Sequence, residues 1–203
     1  MNVTLIDYGV CNVTSVERAL QKLDAVTMRT TTQDGIARAK ALVLPGVGHY
    51  AALIRALNEH GLRKPLLDAI GSGVPFLGIC LGLQALYDSS EEAPDLPGLK
   101  LLPGEVRALP THVKLPHMGW NQLRPVRSSQ LLEGIPADAY FYFAHSYAAI
   151  APNGDADAVA TCVHGAEFVA VLQRKNICAV QFHPEKSGAA GSRLLQNFLR
   201  LAE

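Results

Sequence analysis

The first half of the chain alternates between apolar, strand-like runs and segments with helical spacing, and this order constrains the fold more than any other feature. Two of the runs, "ALVLPG" and "VPFLGIC", are continuously apolar, which is typical of strands covered by helices on both faces. Strands are predicted at 3–8, 25–31, 41–46 and 74–80. Helices are predicted at about 13–23, 34–40, 50–60, 65–70 and 81–89, the first with Asn12 as its N-cap. This order predicts a parallel sheet with right-handed crossovers.

The second half has a different texture, with short β-like runs separated by prolines. Four runs are predicted as strands, at 139–150, 157–165, 167–175 and 177–183. A last helix is predicted at about 190–201, with Leu194, Leu195, Phe198 and Leu199 on its inner face. No repeat or linker interrupts the chain. We therefore expect residues 1–203 to form a single α/β domain, with a central mixed but mostly parallel sheet flanked by helices.

Composition and charge exclude several classes of protein. The 203 residues include 18 Lys plus Arg and 18 Asp plus Glu, so the formal net charge is zero. A nucleic-acid partner, which needs a basic surface, is therefore not expected. No segment has the ~20 apolar residues of a membrane span, and the N-terminal residues lack a signal-peptide pattern. The four cysteines are scattered without a CxxC pair, so we expect a cytoplasmic protein with reduced thiols.

The segment "GICLGLQ" (78–84) places a cysteine where a predicted strand becomes a predicted helix. Functional groups gather at the C-terminal ends of strands in open α/β sheets, and Gly78 and Gly82 around Cys80 form the pattern of an elbow that exposes a nucleophile. The helix N-terminus would stabilise a thiolate, and the N–H of Leu81 would point at a developing oxyanion. The alternative is that Cys80 is only a small core residue.

A cysteine nucleophile needs a base, and the base needs an orienting group. The segment "HPE" (183–185) follows another apolar strand, so His183 is the candidate base and Glu185 the group that orients its ring. A simple turn after the strand is the alternative explanation of this segment.

The other histidines are weaker candidates. His112 and His117 are predicted to lie in a proline-flanked loop. Cys162 and His164 have too few companions for a zinc site, so no metal is expected.

A third strand end carries "LPGVGHY" (44–50). Gly46 and Gly48 would let the loop bring backbone N–H groups close to a bound carbonyl, whereas the absence of a GxxxxGK[ST] pattern argues against a phosphate-binding loop. A plain glycine turn is the alternative. Three strand ends carrying a cysteine, a His-x-Glu pair and paired glycines together favour one functional site.

The segments "PGVG", "GICLGLQ" and "HPEKS" resemble the class I glutamine amidotransferases, in which a Cys-His-Glu triad hydrolyses the amide of glutamine. Five segments narrow the resemblance to the glutaminase subunits of imidazole glycerol phosphate synthases: "IDYG-x-x-N", "LPGVGHY", "HMGWN" (117–121), "YFYFAHSY" (140–147) and "QFHPEKSG" (181–188). These segments extend over nearly the whole chain.

The resemblance implies a role for each matching residue. Cys80 would form a γ-glutamyl thioester, His183 would act as general base, and Glu185 would orient His183. The oxyanion hole would be formed by Gly46, Val47, Gly48 and Leu81. Glutamine would be held by Gly48, Gln84, Ser146 and Tyr147. The resemblance implies no cofactor.

The resemblance also implies a partner, a (β/α)₈-barrel cyclase subunit that consumes the ammonia and makes imidazole glycerol phosphate and aminoimidazole carboxamide ribotide in histidine biosynthesis. The residues that match interface positions are Asn12, Trp120, Tyr142 and Lys186. As alternatives, the four would be a helix cap, a core aromatic, a strand tyrosine and a solvated lysine.

Cys11 departs from the family, which usually has glycine there. Glycines on both sides of Val47 make a peptide flip plausible, so we expect glutaminase activity gated by the partner.

Three alternatives remain open from the sequence. Other glutaminase subunits, such as those of pyridoxal phosphate synthase or anthranilate synthase, share the triad but not "MGWN" with "HSY". A free-standing cysteine hydrolase, such as a γ-glutamyl hydrolase, would turn over without a partner. In a flavodoxin-like binding module, Cys80 would be inert.

Overall fold

A computed structural model describes residues 1–9, 12–150 and 157–203. Its main sheet contains the four strands predicted in the first half and four from the second half. The strands of this sheet are β1 (Asn2–Ile6), β2 (Val26–Thr30), β3 (Leu42–Gly46), β4 (Phe76–Cys80), β8 (Arg124–Pro125), β11 (Ala158–His164), β12 (Ala166–Arg174) and β13 (Ile177–Val180). The other strands are β5 (Ser89–Ser90), β6 (Glu105–Ala108), β7 (His117–Gln122), β9 (Tyr140–His145) and β10 (Tyr147–Ala149).

The main sheet has the order β2-β1-β3-β4-β13-β12-β11-β8. The pairings from β2 to β13 are parallel, whereas β13, β12, β11 and β8 pair antiparallel. The expected mixed, mostly parallel sheet is therefore confirmed. Two small sheets complete the fold, one of order β10-β6-β5 and one in which β7 pairs antiparallel with β9.

Helices cover both faces of the main sheet. They are α1 (Val13–Gln21), α2 (Gln33–Ala37), α3 (Tyr50–Glu59), α4 (Arg63–Gly71), α5 (Leu81–Gln84) and α6 (Gly188–Leu201). Alternate residues of β3 face opposite sides, so that Leu42 and Leu44 pack with α2, α3 and α4, while Val43 packs with α1 and α6. Burial on both faces explains why this strand is continuously apolar in sequence. No helix in the described ranges is both long enough and apolar enough to cross a membrane.

The helix predicted after Cys80 is much shorter than expected, because α5 ends at Gln84. Later backbone N–H groups bind the carbonyls that a longer helix would use: Leu99 N donates to Ala85 O over 2.7 Å, and Leu101 N donates to Leu86 O over 2.9 Å. Tertiary hydrogen bonds from the following loop thus replace the helical ones. The predicted strand at 139–150 is also interrupted, at Ser146 between β9 and β10.

Close backbone contact between β3, β4 and α5 requires the glycines of this region. A Cβ at Gly78 would lie 2.6 Å from Gly82 O, and a Cβ at Gly82 would overlap the carbonyl oxygen of Leu44. A side chain at Gly46 would likewise overlap Leu81. The glycines allow the turn after Cys80 to pack directly against the neighbouring strand.

We expect Gly82→Ala to lower the free energy of unfolding by about 2 to 3 kcal/mol, because its Cβ has no space beside the Leu44 carbonyl. Gly71→Ala is the matched control, since a Cβ there meets nothing within 4 Å and a helical alanine is favoured over glycine. Urea unfolding of the two variants measures the difference. Equal stability of the two variants would contradict the packing argument.

Candidate active site

The three strand ends singled out in the sequence lie side by side in the order β3, β4, β13. Gly46 and Cys80 are direct partners in the register of β3 and β4, and Ile79 pairs with Val180 of β13. Cys80 itself has φ 55° and ψ −107°, a backbone conformation that a non-glycine residue rarely adopts. Such strain is typical of a nucleophile elbow.

His183 and Glu185 form a buried ion pair behind this elbow. His183 Nδ1 and Glu185 Oε1 are 2.9 Å apart, and the side chains are 3% and 1% exposed. Burial lowers the pKa of His183, but hydrogen bonds with the side chains of Cys80 and Glu185, together with the negative charges of both groups, outweigh burial and raise the pKa to about 10. The charged imidazolium is therefore the favoured form at neutral pH.

The turn that carries His183 is held from two sides. His183 N donates to Tyr142 O over 2.9 Å, which ties the turn to β9. The buried hydroxyl of Ser187 donates to His183 O over 2.6 Å and accepts from Tyr142 N over 3.0 Å. His183 is thus positioned by backbone contacts as well as by Glu185.

The glycine segment after β3 lies beside the cysteine elbow. Gly46 packs against Leu81, and Gly48 has φ +93°, a conformation that favours glycine. The next residues begin α3, where Tyr50 N donates to Glu92 Oε2 over 2.8 Å.

A pocket of about 150 Å³ opens over these groups. It is lined by predicted site residues from all three strand ends and from the β9–β10 connection. The lining residues are Val47, Gly48, Cys80, Leu81, Gln84, Glu92, Ala144, His145, Ser146, Tyr147, His183 and Lys186. The structure therefore brings the predicted nucleophile, base, oxyanion and glutamine-holding residues together at one pocket, except that Gly46 and Glu185 do not line it; Gly46 precedes Val47, and Glu185 contacts His183.

A network of side-chain amides begins at the pocket wall. Gln84 Nε2 donates to Tyr147 O over 2.8 Å and to Gln181 Oε1 over 3.1 Å. Gln181 Nε2 in turn donates to Cys80 Sγ over 3.5 Å. Gln84 Oε1 is buried and has no hydrogen-bond partner among the described residues.

Three of the four predicted interface residues share one surface. Trp120 and Tyr142 are cross-strand partners whose ring centroids are 5.9 Å apart, and Lys186 Nζ lies 5.6 Å from the centroid of the Tyr142 ring. Asn12 lies on another element: it occupies the N-cap position of α1, but its side chain makes no capping hydrogen bond. The predicted departure at Cys11 falls outside the described residues.

Exposed apolar side chains extend this surface. Met118 is 65% exposed, Trp120 55% and Tyr140 53%. We call Met118, Trp120, Tyr140 and Tyr142 the aromatic face; Met118 and Trp120 alternate along β7, while Tyr140 and Tyr142 alternate along β9.

The expectation that His117 lies in a loop is wrong. His117 begins β7 and is buried, with its ring stacked on that of His164 and its Nδ1 3.1 Å from His145 Nε2. Burial lowers the pKa values of His117 and His145 to about 4 and about 3, with further lowering by neighbouring histidines. These rings are therefore neutral packing groups at neutral pH.

Two other cysteines of the described part of the chain are buried and unreactive. Burial raises the pKa of Cys162 and of Cys178 to about 12, so neither ionises at neutral pH. Cys80 is the described cysteine that faces both a histidine and a pocket.

Sequence reasoning missed Glu92, Gln181 and Ser187. Gln181 lies two residues before His183 at a strand end, and that spacing was a usable signal. Ser187 has no signal of its own beyond its place in "HPEKS". Glu92 follows a turn-rich stretch and had no local signal, because its position depends on the tertiary contacts that end α5.

Comparison with known proteins identifies the family. A family model described as glutamine amidotransferase class-I matches residues 4–202. The imidazole glycerol phosphate synthase subunit HisH of Methanothermobacter thermautotrophicus is 48% identical over 199 residues, covering 98% of this chain and 98% of the relative. The corresponding HisH subunit of Deinococcus radiodurans is 46% identical over 200 residues, covering 98% and 93%.

Solved structures agree on the fold. A crystal structure of a glutamine amidotransferase covers 98% of both chains with a TM-score of 0.78 at 19% identity. The structure of PurLQS from Thermotoga maritima has the same TM-score at 18% identity, covering 100% of this chain and 99% of that chain. At these low identities the solved structures show only that the fold is shared. The family membership is shown by the sequence matches to the family model and to the HisH relatives. The chain belongs to the class-I glutamine amidotransferase family and, within it, to the HisH subunits of imidazole glycerol phosphate synthase.

Proposed function

We propose that this chain hydrolyses L-glutamine to glutamate and ammonia with Cys80 as nucleophile, His183 as proton carrier and Glu185 as the group that orients and charges His183. The supporting observation is the strained Cys80 at the end of β4, which shares a pocket with a histidine whose Nδ1 is 2.9 Å from a buried carboxylate. This arrangement follows the nucleophile, base and orienting-group logic of covalent catalysis.

In the proposed reaction, His183 already holds the proton that Cys80 has given up, and the Cys80 thiolate attacks the side-chain amide carbon of glutamine. The negative charge that develops on the amide oxygen would be stabilised by N–H groups of Leu81 and of the Gly46–Val47–Gly48 segment. His183 then protonates the leaving nitrogen, so that ammonia departs and a γ-glutamyl thioester remains. Water attacks the thioester carbon, His183 accepts a proton from that water, and glutamate leaves with regeneration of Cys80.

The pocket supports a small amino acid as substrate. Its volume of about 150 Å³ is below the ~300 Å³ at which sites for drug-sized ligands begin. The buried Gln84 Oε1 without a partner would accept a hydrogen bond from the substrate, and the Glu92 carboxylate at the pocket wall would attract its α-ammonium group. Ser146 and Tyr147 would hold the other end of the glutamine.

We propose a heterodimer with a (β/α)₈-barrel cyclase subunit, to which the ammonia would be channelled and where the lyase reaction of the complex would take place. The aromatic face supports a protein partner, since a contiguous exposed apolar surface is typical of an interaction site. Tyr142 belongs to this face, and its carbonyl accepts from His183 N. Partner binding at Tyr142 would therefore affect the position of His183 through the hydrogen bond from His183 N to Tyr142 O. The proposed peptide flip at Val47 would be a second effect of the partner. Asn12 and Lys186 would complete the interface.

We further propose that residues 1–203 act as one amidotransferase domain in the cytoplasm, with neither a nucleic acid nor a membrane as partner and without a metal or cofactor. The zero formal net charge and the free thiols of Cys80, Cys162 and Cys178 support this assignment.

Replacing the nucleophile tests the proposed function most simply. We expect Cys80→Ala to lower glutamate release by the complex with the cyclase subunit at least about 10³-fold, while the variant still binds that subunit. Cys178→Ala is the matched control, because Cys178 lies on the adjacent strand with a pKa of about 12 and should leave the rate unchanged. Glutamate release is measured for each chain alone and in the complex. Full activity of Cys80→Ala would contradict the assignment, and equal activity of the native chain with and without partner would contradict gating.

The charge of Glu185 has a separate consequence for pH dependence. Its negative charge helps to raise the pKa of His183 to about 10, so native activity should fall on the alkaline side only as the imidazolium is lost near that pH. In Glu185→Gln the pKa of His183 falls, and the alkaline limb of glutamine hydrolysis should move to lower pH by about 1 unit or more. The pH profile of kcat/KM in the complex measures this shift.

Glu59→Gln, the same change on the exposed end of α3, is the control. If the alkaline limb of the pH profile lies at the same pH in Glu185→Gln as in the native chain, the proposed role of Glu185 is refuted.

A further inference from the structure

The buried side chain of Gln181 requires an explanation that the triad does not supply. Gln181 lies directly after β13, is 0% exposed, and sits among apolar residues of the sheet. Burying an amide costs free energy unless its donors and acceptor are all used. Its Oε1 accepts from Gln84 and its Nε2 donates to Cys80 Sγ, so both ends of the side chain are committed to the site.

The direction of these hydrogen bonds is fixed by the backbone carbonyl of Tyr147. A carbonyl oxygen can only accept, so the group of Gln84 that lies 2.8 Å from Tyr147 O must be its NH₂. The second hydrogen of the same NH₂ points to Gln181, which must then present its oxygen to Gln84. Only the NH₂ of Gln181 is left to face Cys80 Sγ. A flip of either amide would place two oxygens or two donors against each other.

We propose that Gln181 is a further catalytic residue, whose amide N–H stabilises the Cys80 thiolate and whose orientation is set by the chain Tyr147 O, Gln84, Gln181. This inference rests on the proposed glutaminase function. Sulfur is a weak acceptor as a thiol but a strong one as an anion, so the hydrogen bond from Gln181 is strongest once the proton has moved to His183. In this step His183 holds the proton, and Gln181 stabilises the negative charge left on the sulfur.

The same chain of hydrogen bonds links the substrate pocket to the nucleophile. Gln84 and Tyr147 line the pocket, whereas Gln181 is not among the lining residues and is bound to them through its hydrogen bonds with Gln84 and Cys80 Sγ. A change at Gln181 should therefore affect the chemical step with little effect on glutamine binding.

The test uses two substitutions in the complex with the cyclase subunit. Gln181→Met keeps the length of the side chain but removes both hydrogen bonds. Gln181→Glu keeps an acceptor for Gln84, and so preserves packing, but it removes the donor and adds a negative charge beside the sulfur. We expect kcat for glutamine hydrolysis to fall about 10- to 100-fold in Gln181→Met, and further in Gln181→Glu, with KM within about twofold of native.

A second readout does not depend on glutamine. Alkylation of Cys80 by iodoacetamide, located by mass spectrometry, should slow in both variants at neutral pH and return to the native rate at strongly alkaline pH, where any thiol ionises. A purely structural role would not produce this dependence on pH.

Asn197→Leu is the matched control for loss of a buried amide. Asn197 Nδ2 donates to Leu131 O and Glu133 O, neither of which belongs to the site, so this variant should lose stability but keep native kcat and Cys80 alkylation. Native kcat and alkylation in Gln181→Met and Gln181→Glu would overturn the inference, as would equal losses in Asn197→Leu. If the native complex releases no glutamate, the proposed function fails instead, and the alkylation rates still decide the role of Gln181.

Discussion

The close approach of β3, β4 and α5 places the glycine segment and Cys80 next to one another. The turn after Cys80 packs so tightly against β3 that no side chain fits at Gly46, Gly78 or Gly82. Because Gly46 and Cys80 are register partners, this contact puts the glycine segment beside the sulfur. The positive φ of Cys80 is the cost of that geometry, and it is tolerated because the sheet fixes the strands on both sides. In this chain the backbone, and not the length of any side chain, sets the position of the Cys80 sulfur.

The electrostatics of the site follow from burial of opposite charges next to one another. Burial alone would make His183 neutral, yet Cys80 and Glu185 raise its pKa to about 10. The contrast with His117 and His145 is informative: they are also buried, have no carboxylate partner among the described residues, and have pKa values lowered to about 4 and about 3. One domain thus contains buried histidines with opposite pKa shifts, and the difference between them is the presence of an anionic neighbour. Of these three histidines, His183 is the one suited to carry a proton at neutral pH.

Much of the fold followed from the sequence, because continuous apolar runs and helical spacing report burial directly. The parallel half of the sheet was predicted with boundaries close to those observed, and the three strand ends that carry Gly46, Cys80 and His183 were correctly expected to meet. The length of α5 could not be predicted, since it is limited by hydrogen bonds from residues 98–102, which no local pattern indicates. His117 and Glu92 were missed for the same reason: each owes its position to partners far along the chain.

The central claim is that Cys80 attacks glutamine to form a covalent intermediate. The most direct measurement is rapid acid quenching of the complex during turnover of glutamine, followed by mass spectrometry of the peptides that contain Cys80, Cys162 and Cys178. The account predicts a γ-glutamyl group on Cys80 alone, which forms before steady state and disappears when glutamine is exhausted. Glutamate release without any adduct on Cys80, or with an adduct on another cysteine, would contradict it.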